Sequence, residues 1–297
     1  MRYRLFRCAS NVRMTMKRPA DSASMGYPKP GQVLRWMRLA VDNSGDDGIG
    51  RGLMPALVDY TDSAGALRLG AISILADYVA GFSSLRTVSP DWPVTHDMAI
   101  HITQPCPPEG ELEAECRLVR AGRNNVVSET SIVSPAVGEV ARAYVTITRL
   151  PRRDDTPTAP ALTRANLAES LDKEAPRLHI DDACGFRFER AASGPYVEFD
   201  HSPFVENSVH AIQGGVLSLA MERAAAWAAE LALGRPCSSS DIHIHYLALG
   251  KDGPFQARAE VLRIADNSVT SRISVHDTGN GDRLLALGVA TATAALG

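Results

Sequence analysis

Two acidic residues lie on otherwise apolar helical segments, each shortly after a turn of small residues. Asp77 is in GALRLGAISILADYVAGF, and Glu222 is in HAIQGGVLSLAMERAAAW. A carboxylate on an apolar helix needs a partner, because burying an unpaired charge is costly. The same group can also attack a carbonyl carbon or take a proton from water. Either acid alone fits a buried ion pair as well as a catalytic group, so the surrounding elements must decide.

The two acidic helices belong to an internal repeat. Three pairs of landmarks keep nearly the same separation: Asp77 and Glu222, Asp97 and Asp241, and Gly110 and Gly253 are 145, 144 and 143 residues apart. Each copy closes with an alternating segment, EVARAYVTITRL and RLLALGVATATAAL. Two copies that stay in step over about 100 residues predict a tandem duplication.

Each copy has the pattern of a strand, a long helix and several further strands. The helices are apolar nearly all round, which is typical of buried helices. Segments such as ARAYVTITRL and EAECRLVRA alternate with period two, as half-buried antiparallel strands do. An antiparallel sheet that wraps one long buried helix is the hotdog arrangement. We therefore predict an α+β fold of two tandem hotdog domains that form a pseudo-dimer within the chain.

The flanking and connecting segments set the domain boundaries. Residues 1–30 are rich in Arg and lack the apolar stretch of a secretory signal, so we expect a disordered tail. The first hotdog domain is predicted over residues 31–150 and the second over 186–297. Residues 151–185 are rich in Pro and charge and predict a linker, in which TRANLAESLDK could form a short helix.

Composition limits the function. The chain has 297 residues and a net charge of −3, which gives no basic excess for binding nucleic acid. No run of about 18 apolar residues is present, so no membrane partner is expected. The five cysteines are scattered without a C-x-x-C pair. This usage favours reduced thiols and a cytoplasmic protein, without a disulfide framework or zinc knuckle.

The entry to the second helix carries a more specific pattern. Asn207 is followed six residues later by Gln213-Gly214-Gly215, and Glu222 comes eight residues after Gly214. This pattern resembles the PaaI-like branch of hotdog acyl-CoA thioesterases, which have Asn, then His-Gly-Gly, then a helical Asp or Glu. Gln213 replaces the His. The first unit matches less well and has Asp62, Arg68, Leu69 and Gly70 at the four loop positions.

The resemblance implies two composite sites, because the loop comes from one unit and the carboxylate from the helix of the other. Site one would combine Asn207, Gln213, Gly214 and Gly215 with Asp77 and Thr95. Site two would combine Asp62, Arg68, Leu69 and Gly70 with Glu222 and Ser239. We expect site one to be active and site two to be degenerate, because the Asp62 carboxylate would repel a developing oxyanion.

The implied activity is hydrolysis of an acyl-coenzyme A thioester. Asp77 would attack the carbonyl or activate water, Thr95 would orient the water or the carboxylate, and the Gly214 N–H with Asn207 would polarise the carbonyl. Coenzyme A is part of the substrate, so no separate cofactor is expected. Two alternatives stay open: a non-catalytic acyl-CoA binder and a hotdog enoyl-CoA hydratase or dehydratase. The second alternative is weakened because its Asp, Asn-Pro and His pattern is absent.

A few further side chains invite a role. Arg123 and Arg263, at related turns, are candidates for contacts with coenzyme A phosphates, with a solvated charge as the alternative. Three aromatic side chains on the two helices fit either a roomy apolar or aromatic pocket or core packing: Tyr78, Phe82 and Trp227.

His243 and His245 share one face of a strand but lack a third ligand, so no metal site is predicted. Exposed sheet edges favour further pairing of the pseudo-dimer into a homo-oligomer.

Overall fold

A computed structural model of the chain describes residue 28 and residues 31–42, 48–152, 165–166, 178–192 and 194–295. The predicted disordered tail therefore lies outside the described residues except for Pro28, as does most of the predicted linker. None of the helices in these ranges combines the length and hydropathy needed to cross a bilayer.

The described ranges contain four α-helices and thirteen strands. The helices are α1 (Val33–Trp36), α2 (Leu69–Val88), α3 (Ile180–Ala183) and α4 (Gly214–Leu233). The strands of the first half are β1 (Ala40–Asp42), β2 (Ile49–Pro55), β3 (Trp92–Ile102), β4 (Glu111–Ala121), β5 (Asn125–Ser134), β6 (Gly138–Leu150) and β7 (Ala165–Asn166). Those of the second half are β8 (Arg187–Ala191), β9 (Gly194–Phe199), β10 (Cys237–Tyr246), β11 (Phe255–Ile264), β12 (Ser268–Asp277) and β13 (Arg283–Ala294).

The strands form one antiparallel sheet that is shared by both repeats. Its order is β7-β1-β2-β4-β5-β6-β3-β10-β13-β12-β11-β9-β8, so each repeat contributes one side. The two sides join where β3 pairs with β10. The sheet curves around α2 and α4, which pack against each other and against the strands of their own repeat. This arrangement confirms the predicted α+β fold and the pseudo-dimer within one chain.

A pseudo-twofold axis passes between the two repeats. In the β3–β10 ladder Ala99 pairs with His243, and the residues on either side pair symmetrically about them. On the helix side, the hydroxyl oxygens of Ser73 and Ser218 are 2.5 Å apart, and these two serines are equivalent positions of the repeat. The sheet and the helices therefore meet on the same axis, and each helix start faces the middle of the other helix.

The long helices form where the sequence allows close packing on every side. Most of α2 and α4 is buried, as their apolar composition predicts. The first turn of α4 is capped by Gln213, whose side-chain oxygen accepts a hydrogen bond from the Val216 N–H at 2.8 Å. The helix ends at Gly234, which adopts the left-handed conformation (φ 68°) that glycine tolerates best.

Two elements lie in the segment predicted as linker. Ala165–Asn166 form β7, which pairs with β1 at the edge of the sheet. At these two residues the predicted helix is wrong, because the backbone hydrogen-bonds to a free strand edge instead. At the other end, α3 brings Asp181 into the interior, where it contacts Arg68 of the first repeat and Arg223 of the second.

Candidate active site

The carboxylate of Asp77 lies in the middle of α2 and is held by residues from β3 and from the start of α4. Its Oδ1 accepts a hydrogen bond from the Thr95 hydroxyl on β3 at 2.5 Å. Its Oδ2 accepts one from the Gln213 side-chain amide at 3.0 Å. Gln213 belongs to the other repeat, so the site is composite, in the combination predicted for site one. Both oxygens are thereby fixed in direction.

Burial gives this carboxylate its electrostatic character. Asp77 is 7% exposed, and removal from water raises its pKa because the charged form loses hydration. Hydrogen bonds from Thr95, the Gly215 backbone and Gln213 stabilise the ionised form and lower the pKa in part. The result is a carboxylate with a raised pKa that is still solvated by three protein donors. Such a group can accept a proton more readily than an exposed aspartate.

The start of α4 faces the Asp77 carboxylate across the repeat interface. An ideal Cβ on Gly214 would lie 3.2 Å from Oδ2 of Asp77, so only a residue without a side chain leaves this space open. The next donors of the helix are engaged, since Gly215 faces Asp77 and Val216 is capped by Gln213. Within the described ranges, the Gly214 N–H has no hydrogen-bond acceptor. It therefore offers a donor at the positive end of a 20-residue helix.

Asn207 shapes the loop that leads into α4. Its side-chain oxygen accepts hydrogen bonds from the N–H groups of Val209 and Ala211 at 3.0 and 3.1 Å. Its amide nitrogen makes a long contact of 3.4 Å with the Ile212 carbonyl oxygen and borders the cavity in front of Asp77. Asn207 is therefore close enough to the site to contact a bound molecule. Its side-chain oxygen also stabilises the loop through the two backbone hydrogen bonds.

A cavity of about 120 Å³ opens in front of Asp77 and continues along α2. Its floor near the carboxylate is polar and is formed by Thr95, Asn207, Gln213 and Gly214. Away from the carboxylate the walls are apolar or aromatic: Tyr78, Phe82, Leu85, Trp92, Val94 and Ile147. The cavity thus joins the Asp77 carboxylate to an apolar channel, which is the usual form of a site for an amphipathic small molecule.

The sequence reasoning missed Tyr246, at the end of β10. Its hydroxyl donates a hydrogen bond to the Gly214 carbonyl oxygen at 3.2 Å, and its ring borders the cavity. Burial raises the pKa of this phenol well above its usual value, and the Asp77 charge adds to the effect. The equivalent position of the first repeat is Ile102. The difference between an aromatic residue in the second repeat and an aliphatic residue in the first is the feature of the sequence that could have indicated a role for Tyr246.

Of the residues predicted for site two, Glu222, Ser239 and Arg68 lie together, in a buried ion-pair network. Glu222 is fully buried and accepts a hydrogen bond from the Ser239 hydroxyl at 2.9 Å, as Asp77 does from Thr95. Arg68, at the position of Gln213, lies 3.9 Å from Glu222 and donates to Asp181 at 2.7 Å. Arg223 donates to the other oxygen of Asp181 at 2.8 Å. Burial raises the pKa of Glu222, and the two arginines partly reverse this.

Side-chain size also closes site two. Leu69 is 1% exposed and stands at the position of Gly214, so a large side chain fills the space that is open in site one. Gly70 lies so close to α4 that an ideal Cβ would be 2.6 Å from Leu219. Trp227, the counterpart of Phe82, packs against Phe188 with ring centroids 5.4 Å apart and does not border the cavity of site one.

Asp62 has the same structural role in the first loop as Asn207 has in the second. Its Oδ1 accepts hydrogen bonds from the N–H groups of Ala64 and Ala66, as Asn207 does in the second repeat. A carboxylate fulfils this loop-forming role as well as an amide, because only an acceptor is needed. The Asp62 position is therefore retained for the backbone turn.

Arg123 and Arg263 are exposed and do not border the cavity of site one. Arg123 lies in the β4–β5 turn, two residues before Asn125. Asn125 pairs with Thr148 of β6, and Thr148 pairs with Val94 of β3, which borders the cavity. Arg263 lies on β11, paired with Thr270 in the second repeat. Their predicted contact with coenzyme A phosphates stays a prediction.

Comparison with known proteins agrees with this architecture. Residues 211–283 match the model of the thioesterase superfamily. The fold is similar to that of the tesB protein of Mycobacterium avium paratuberculosis (TM-score 0.60, 11% identity, 86% of this chain and 96% of that one). It is also similar to the acyl-CoA thioesterase II TesB2 of Mycobacterium marinum (TM-score 0.58, 13% identity, covering 89% of this chain and 98% of that one).

A third similar structure is the 12:0-ACP thioesterase of Umbellularia californica (TM-score 0.54, 10% identity, covering 84% of this chain and 95% of that one). A search of curated proteins finds no match. Together the family match and the structures confirm the predicted resemblance to double-hotdog thioesterases. The family match itself covers residues 211–283 of the second repeat, which include Gln213 and Gly214 but not Asn207.

Proposed function

We propose that the chain is an acyl-CoA thioesterase that works at one composite site, with Asp77 as general base. The observation that carries this proposal is the buried Asp77 carboxylate, held by Thr95 and Gln213 beside an apolar channel. It faces the start of α4, where the Gly214 N–H has no acceptor among the residues that the structure describes. The match of residues 211–283 to the thioesterase superfamily supports the reaction class.

The chemistry follows from what each group can donate or accept. The thioester carbonyl would lie against the Gly214 N–H, and water would lie between its carbon and Asp77. Asp77 takes a proton from the water as its oxygen attacks the carbonyl carbon. The negative charge that builds on the carbonyl oxygen is stabilised by the Gly214 N–H and by the helix dipole. The C–S bond then breaks, and the coenzyme A thiolate takes the proton from Asp77.

General-base catalysis is favoured over direct attack because both Asp77 oxygens already have hydrogen-bond donors. A nucleophile would have to give up its bond to Thr95 or Gln213 before attacking, whereas a base keeps both and still accepts a proton with a remaining lone pair. The apolar channel along Tyr78, Phe82 and Leu85 is the natural place for the acyl chain.

The test is release of free thiol from a panel of short, medium, long and aryl acyl-CoAs, with the matching acyl-ACPs as a second carrier. We expect hydrolysis of at least one acyl-CoA by the wild type and tight binding without turnover by Asp77→Asn. Binding of acyl-CoA without hydrolysis by the wild type would identify a non-catalytic binder instead. A covalent acyl group on Asp77 in acid-quenched protein, measured by mass spectrometry, would replace the general-base step by nucleophilic attack.

A further inference from the structure

A cluster of three metal-binding side chains lies on the outer face of the sheet, where the two repeats meet. The Asp97 carboxylate oxygen Oδ2 is 2.9 Å from Nε2 of His243 and 2.9 Å from Nδ1 of His245. All three ligand atoms lie within 4.8 Å of one another. Asp97 belongs to β3 and the histidines belong to β10, so the cluster spans the junction between the repeats.

Strand register brings these residues together. Asp97 is directly opposite His245 in the β3–β10 ladder, and His243 lies two residues away on the same face of β10. The sequence alone could show only the two histidines, because the third ligand comes from a strand about 150 residues earlier in the chain. The structure therefore provides the third ligand that was missing from the sequence pattern.

The two carboxylate–imidazole separations fit coordination of a single ion. Ligands about 2.0–2.1 Å from a metal are roughly 3.0 Å apart at a right angle and roughly 3.4 Å apart in a tetrahedron. The two carboxylate–imidazole distances of 2.9 Å are close to the first value. The imidazoles are about half exposed (52% and 54%), so water can complete the coordination shell.

The immediate surroundings leave the cluster free for a cation. In the neighbouring strands, the residues paired with Asp97, His243 and His245 are the uncharged Thr146, Val289 and Leu287. These cross-strand neighbours bring no lysine or arginine to compete for the carboxylate. Two imidazoles with one carboxylate suit borderline divalent ions such as Zn²⁺, Ni²⁺ and Cu²⁺ better than Mg²⁺ or Ca²⁺, which prefer all-oxygen ligands.

We propose that Asp97, His243 and His245 form a binding site for a divalent transition-metal ion that links the two repeats across the β3–β10 junction. The site lies on the face of the sheet away from α2 and α4, apart from the cavity at Asp77. An ion bound there would hold β3 against β10. It would stabilise the folded chain by an amount that rises with the logarithm of the free metal concentration once that concentration exceeds the dissociation constant.

The experiment measures binding of Zn²⁺ and of Ni²⁺ to the untagged full chain by equilibrium dialysis, and follows the melting temperature in parallel. The variants are His243→Ala, His245→Ala and Asp97→Asn. His101→Ala is the matched control, because His101 is an exposed histidine on the same face of β3 that pairs with Asp241. Binding does not require turnover, so the result is independent of the thioesterase proposal.

We expect one ion per wild-type chain at this site and a rise in melting temperature with metal. Loss of one direct ligand should weaken binding by at least the roughly 10- to 100-fold seen when an outer-sphere partner is lost. His101→Ala should bind as the wild type does. Equal binding by the wild type and by both His243→Ala and His245→Ala would overturn the proposal, as would no binding by the wild type at millimolar metal.

Discussion

Replacement of Gly214 by alanine adds one methyl group directly in front of the Asp77 carboxylate. The added Cβ would lie 3.2 Å from Oδ2, 3.5 Å from Oδ1 and 3.6 Å from Cγ of Asp77. A water that gives its proton to this carboxylate must lie about 2.7 Å from one of the same oxygens. The methyl group and the water therefore compete for one space, and the substitution should remove the attacking water.

The size of the effect follows from the lost step. Positioned general-base catalysis contributes about 100- to 10,000-fold, so kcat/KM of Gly214→Ala should fall by about 100-fold or more. The fold should not suffer, because alanine is favoured over glycine in a helix by up to about 1 kcal/mol. Thiol release from an acyl-CoA and urea denaturation measure the two quantities separately.

Gly215→Ala is the matched control one residue along the same helix. Its Cβ would lie 2.8 Å from the Ile74 Cα, well inside the usual carbon–carbon contact of about 3.5–4.0 Å. Ile74 is in the buried helix α2, so the cost should appear as a loss of about 1–3 kcal/mol in the free energy of unfolding. Wild-type kcat/KM in Gly214→Ala, or a loss of stability as large as that of Gly215→Ala, would contradict this prediction.

Three further predictions concern charge and hydrogen bonding. Thr95→Val removes the hydroxyl hydrogen bond that lowers the pKa of Asp77, so the acid limb of the pH profile of kcat/KM should move to higher pH. An unchanged pH profile would contradict this. Burial raises the pKa of Asp77 in the folded state above its pKa in the unfolded chain. The wild type should therefore gain stability relative to Asp77→Asn as the pH is lowered from the folded-state pKa to the unfolded-state pKa. Urea denaturation of both proteins at several pH values tests this, and parallel curves would argue against it. Arg68→Met removes one of the two arginines that neutralise the buried Asp181 and Glu222, so the free energy of unfolding should drop by about 3–5 kcal/mol while kcat/KM of the folded protein is unchanged.

The fold was predictable because its signals are local and repeated. Apolar helices, period-two strands and a constant spacing between copies all point to the same arrangement. The meeting of Asp77 with Gln213 was predictable only through the family pattern, since no local signal joins residues 136 apart in the chain. The contact between Asp77 and Gln213 forms because α2 packs against α4 about the pseudo-twofold axis.

Other contributors could not be predicted because they come from tertiary packing. Asp181 lies in a segment that has the composition of a linker, yet α3 carries it between Arg68 and Arg223. Tyr246 reaches the site only through the position of the end of β10 beside α4. Its sequence neighbours reveal a strand but not which cavity the strand end borders.

The most direct test of the central claim is a comparison of kcat/KM for Asp77→Asn and Glu222→Gln on the best acyl-CoA substrate. The two acids are equivalent positions of the repeat, and each accepts a hydrogen bond from a hydroxyl of the following strand. The one-site account predicts that Asp77→Asn loses turnover and that Glu222→Gln keeps it. Equal losses, or a loss confined to Glu222→Gln, would contradict the account.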